Sequence, residues 1–112
     1  MLSGLCSSSV EQPKFAIGQL VRHSKFGYRG VVVDVDLTFD LSEEWYERVA
    51  RSRPPRDKPW YRVLVHDSVH ETYVAERHLE SDTETMEVDH PRIGEFFDEF
   101  RGNHYARTRI LN

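Results

Sequence analysis

A single cysteine among 112 residues, Cys6, rules out an internal disulfide, and no Cys/His set has the spacing of a structural zinc site. No unbroken apolar run is longer than a triplet such as Val31-Val32-Val33, whereas a membrane helix needs about 20 apolar residues. The opening stretch MLSGLCSSSV lacks the basic and apolar regions of a secretory signal, so the expected location is the cytoplasm. A nucleophile elbow, a P-loop and a dinucleotide fingerprint are all missing, and Gly27 to Gly30 reads as a turn between strands. Cys6 has no base in its neighbourhood that would activate it. These gaps leave no enzyme chemistry, no metal and no cofactor to assign. Uniform basicity is missing too: the net charge is −4. Nonspecific duplex binding is driven by phosphate neutralisation, so that balance weakens it.

What the chain does have is charge of both signs, kept apart. Arg48, Arg51, Arg53, Arg56, Lys58 and Arg62 face only Asp57 in one stretch. Glu80, Asp82, Glu84, Glu87, Asp89, Glu95, Asp98 and Glu99 face only Arg92 in another. Solvated surface segments are the simplest reading of both.

Hydrophobic periodicity supplies the fold. Residues 1–13 are Ser-rich and aperiodic, a flexible leader. Alternation from Phe15 to Arg22 predicts a strand, Ser24–Gly27 a turn, and Val-rich Tyr28–Asp36 a second strand. Asp40 and Glu43 suit a capping box for a helix over 41–51, with Leu41, Trp45 and Val49 on one face. Pro54-Pro55 ends it, and a basic connector follows. Trp60–His66 and Glu71–Ala75 predict a hairpin, Glu76–Leu79 a tight turn, and Leu79 the start of a last short strand. Pro91 and the spacing of Ile93, Phe96, Phe97 and Phe100 predict a helix ended by Gly102, with residues 103–112 a flexible tail. The sum is a mainly β domain over 14–102. It is expected to be a small SH3-like antiparallel barrel with one inserted and one C-terminal short helix.

Two surfaces invite a partner. Arg22, His23, Lys25, Tyr28 and Arg29 surround one turn, a candidate contact for a nucleic-acid backbone unless Tyr28 fills the core. Trp45 and Tyr46, with Arg51, Arg53 and Arg56 nearby, have the aromatic-plus-Arg composition of protein interfaces. The pair His66 and His70 lies at a turn, where spacing does not bring both rings to one metal. Asp34 and Asp36 share a strand face and suit nearby arginines better than a cation.

Four blocks, KFAIGQLVRHSKFGYRGVVVDVD, PWYRVLV, HETYVAERHLE and HPRIGEFF, occur in order with suitable gaps. Together they resemble the HspQ heat-shock family, also called the YccV-like or hemimethylated-DNA-binding family. The resemblance covers about residues 14–101 and implies an SH3-like barrel without catalytic activity. It implies two roles. One is a specificity-enhancing factor for the ATP-dependent protease Lon, with DnaA or denatured proteins as substrates. The other is binding to hemimethylated duplex, with consequences for the replication initiator. It also implies a homo-oligomer, a trimer by analogy. Within the matched blocks Arg22, His23 and His70 are polar, which makes them candidate contact residues. Reading one methyl group in the major groove is worth only about 1 kcal/mol. The expected function is therefore regulation of proteolysis, with DNA binding second.

Overall fold

The computed structural model describes residues 12–50 and 53–107. The leader up to residue 11, Cys6, Arg51 and the last five residues lie outside them. Five strands form one antiparallel sheet in the order β4-β3-β2-β1-β5. They are β1 Leu20–His23, β2 Arg29–Asp36, β3 Trp60–Val65, β4 Glu71–Ala75 and β5 Leu79–Ser81. A helix α1, Glu43–Val49, is inserted between β2 and β3, and a 3-10 turn at Glu76–His78 joins β4 to β5. No helix among the described residues is long and apolar enough to cross a membrane.

Alternation of side chains gives the sheet two apolar faces. Val21, Val32, Tyr61, Val63, Val74 and Leu79, drawn from all five strands, meet Phe15 in one buried cluster. Strands can converge like this only if the sheet curls, and the register shift between Val32 and Asp34 supplies extra bend. Closure does not follow, however. β4 and β5 are the two edges and do not pair with each other, so the mainly β, antiparallel architecture is as expected, while the sheet does not close into a barrel among the described residues. The opposite face, with Leu20, Val31, Val33 and Leu64, is covered by Val88, Phe97 and Tyr105.

The C-terminal helix differs most from expectation. α2 spans only Ile93–Phe96; Phe97 is already extended, and β6 Glu99–Phe100 pairs with β7 Tyr105–Ala106. Gly94 weakens so short a helix, and the aromatic residues gain more as strand and loop residues. Phe97 and Phe100 lie 5.4 and 4.8 Å from the Tyr105 ring. Tyr105 is buried, so the flexible-tail reading fails at 105–106. The first strand is also shorter than predicted. Gly18, at φ +94°, lets the chain pass Tyr105, where an added Cβ would sit 2.1 Å from the carbonyl oxygen. The α1 cap is Ser42 rather than Asp40: its Oγ accepts the Trp45 N–H at 3.1 Å.

Candidate functional site: a neutralised basic turn beside an aromatic groove

The β1–β2 turn gathers all five residues expected there, but it does not present them as free cations. The His23 ring is buried and its Nδ1 accepts the backbone N–H groups of Lys25 and Phe26 at 3.1 and 3.0 Å. Its proton therefore sits on Nε2. Burial, the stacked His78 ring and the Lys25 charge all push its pKa below the ordinary value. Its role is to hold the turn, in neutral form. Arg29 donates to Asp82 Oδ2 at 2.7 Å and to the Met86 carbonyl. Arg22 donates to Glu84 Oε2 at 2.7 Å and reaches Asp82 at 3.4 Å. The Asp82 side chain is 1% exposed and the Arg29 side chain 10%. Two of the three candidate cations are thus consumed by the acidic segment. Lys25 is exposed, and Tyr28 donates to or accepts from Thr72 at 2.8 Å while packing against the core.

Two arginines of the basic connector are also paired with carboxylates. Arg53 pairs with Glu47, and Arg56 pairs with Glu43 and stacks 3.8 Å over the Tyr46 ring. Both carboxyls are held below their usual range by those guanidinium hydrogen bonds. Tyr46 is buried and donates to the Pro54 carbonyl, so it anchors α1 instead of facing a partner. His70 is exposed, but its carbonyl meets the buried His90 ring at 3.0 Å. Among the described residues, His66 and His70 belong to no group of three or more His, Cys, Asp or Glu side chains that could hold a metal ion. Asp34 lies 3.8 Å from Arg62 and Asp36 accepts the Tyr73 hydroxyl at 2.7 Å.

Trp45 is different. The buried face of α1 is Tyr46 and Ala50, which pack on Trp60 and Ala75. The stripe Leu41, Trp45 and Val49 lies beside that face: Trp45 is half-buried against Phe39, Trp60 and Tyr73, Val49 is exposed, and all three line a groove of about 720 Å³. Trp60 and Tyr73, stacked at 5.2 Å, form part of its wall. Lys25, Phe26 and Tyr28 bound it at the β1–β2 turn, with Phe26 73% exposed and Val49 52%. An exposed apolar patch of this kind marks an interaction surface. The sequence spacing showed the stripe; which way it would point was hidden, because Tyr46 and Ala50 are equally good core residues. The acidic latch of Asp82 and Glu84 was missed altogether. Its signal was the charge asymmetry itself, since separated opposite charges find each other when strands bring them together.

A family model described as hemimethylated DNA-binding protein YccV like matches residues 13–104. The chain belongs to that YccV-like family.

Proposed function

We propose that this YccV-like family member is a non-enzymatic regulator of proteolysis, a specificity-enhancing factor that presents substrates such as DnaA to the Lon protease. The observation that carries the reading is a contrast within one surface. Arg22 and Arg29, which would meet phosphate, are already matched by carboxylates, whereas the groove beside them is walled by apolar and aromatic side chains, with Phe26 and Val49 exposed among the described residues. A protein partner uses exposed aromatic surface directly, but a duplex would first have to displace Asp82 and Glu84. The proposal includes a cytoplasmic location and a homo-oligomer, for which light scattering on the purified protein is the check. Degradation of purified DnaA and of an unrelated unfolded protein by Lon, with and without this chain, tests it. Selective acceleration of DnaA loss supports the role; unchanged rates for both substrates would remove it.

Hemimethylated-duplex binding is the second reading, favoured by the description of the family itself. It requires a clear preference for hemimethylated over unmethylated duplex at physiological salt. With Arg22 and Arg29 matched, little salt-dependent affinity is expected from the β1–β2 turn.

A further inference from the structure

The groove runs along an open sheet edge. In the β3–β4 ladder, the Val65 N–H donates to the His70 carbonyl and the Glu76 N–H to the Pro59 carbonyl. Antiparallel pairing alternates, so Thr72 and Val74 spend their backbone groups on β3. The N–H and C=O groups of Glu71, Tyr73 and Ala75 point the other way, along an edge that no other strand among the described residues pairs. Glu71 to Ala75 all line the groove, together with Lys25, Phe26, Trp45 and Val49. Five residues of strand span about 17 Å. The same groove thus offers two complementary features: a row of backbone donors and acceptors, and apolar seats for side chains.

The charge is one-sided at the turn end. Lys25 is exposed there, beside the stacked His23 and His78 rings, and its charge helps to lower the pKa of both. At the opposite end Glu71 is balanced by Arg62 and Arg92. We propose that β4 takes an extended polypeptide segment as an added strand, with its apolar side chains on Trp45, Val49 and Phe26 and an acidic group beside Lys25. This deepens the protein-regulator reading and rests on it: the added strand is the substrate segment. Backbone pairing supplies affinity without sequence demand, and alternate side chains supply selectivity. A factor that serves denatured chains needs this division of labour.

The probe is a fluorescein-labelled eight-residue peptide in which valine or phenylalanine alternates with threonine and one terminus carries two aspartates. Anisotropy gives its affinity for the full chain, and amide hydrogen exchange gives the contact. Binding is expected to protect the Glu71, Tyr73 and Ala75 amides, with little change at Thr72 and Val74. N-methylating alternate peptide amides is expected to weaken binding at least about tenfold, because several strand hydrogen bonds are lost together. Val49→Asp, at an exposed position, should weaken it by a similar factor, and Lys25→Glu by about fivefold. No binding, an N-methylated peptide that binds equally well, or unprotected Tyr73 would each overturn the edge-strand proposal. If Lon stimulation persists in the Val49→Asp protein, the edge falls while the proteolysis reading stands. If stimulation is absent even with the wild type, the proteolysis reading falls.

Discussion

Neutralising the acidic latch should separate its two effects. In Asp82→Asn/Glu84→Gln, both side chains keep their size and lose their charge. Asp82 is almost fully enclosed and receives Arg29, whose own side chain is 10% exposed. Breaking a buried pair costs about 3–5 kcal/mol. The Met86 carbonyl still receives Arg29, and the new amide oxygen can accept a weaker hydrogen bond. The Arg22 contacts involve a guanidinium 32% exposed and a Glu84 carboxylate 48% exposed, where a pair is worth only about 0–1 kcal/mol. The net loss is about 2–4 kcal/mol, a fall in thermal midpoint of very roughly 8–30 °C at about 4–8 °C per kcal/mol. At a temperature where the variant stays folded, Arg22, 32% exposed and no longer matched by charge, should be able to neutralise a phosphate, whereas Arg29 stays enclosed on the Met86 carbonyl. Duplex affinity should then rise, and its dependence on log salt should steepen by about 0.9 for that one contact. Calorimetry and an anisotropy titration at several salt concentrations read both quantities. A destabilised variant with unchanged duplex affinity and salt slope would refute the argument that the latch masks Arg22.

Other consequences are independent of the latch. His23 is held below its ordinary pKa when folded, so the unfolded chain binds its proton more readily. That contribution is complete above about pH 6.5 and is lost as pH falls through the lowered folded value. Melting curves between pH 7.5 and about 5 should therefore slope downward on the acid side, and less so in His23→Asn, which keeps an acceptor for the turn without titrating in that range; an equal slope would contradict the role given to His23. Gly18→Ala should lose at least about 2 kcal/mol in denaturant titration, from backbone strain at positive φ and collision with the Tyr105 carbonyl; a smaller loss would mean that the 105–106 segment moves aside freely. Phe97→Ala should lose about 3–5 kcal/mol, and Phe96→Ala, only partly buried, clearly less; equal losses would restore the predicted helical stripe.

The strands were legible because their cause is local. The β-branched run at Val31–Val35 and the apolar residues of Trp60–Val65 mark strands, here buried on both faces, without help from the rest of the chain. The C-terminal aromatic residues were misread because i, i+3, i+4 spacing also fits residues that bury by packing around a distant Tyr105. Open sheet edges were invisible for a related reason: whether β4 meets β5 depends on curl and connection, not on either strand's composition. Among the candidate site residues, identity was easier than state. The sequence placed Arg22 and Arg29 at one turn, but their charges are answered by Asp82 and Glu84, some 53–62 positions away. The long separation also explains why the acidic segment read as solvated surface.

The most direct measurement is the initial rate of DnaA degradation by Lon with the wild type, with Val49→Asp and with Asp82→Asn/Glu84→Gln, at a temperature where all are folded. The groove-centred account predicts stimulation by the wild type, most of it lost in Val49→Asp and retained in the latch variant. Stimulation that survives Val49→Asp but disappears with the latch charges would contradict it, because the acidic segment and not the aromatic groove would then be the surface that works.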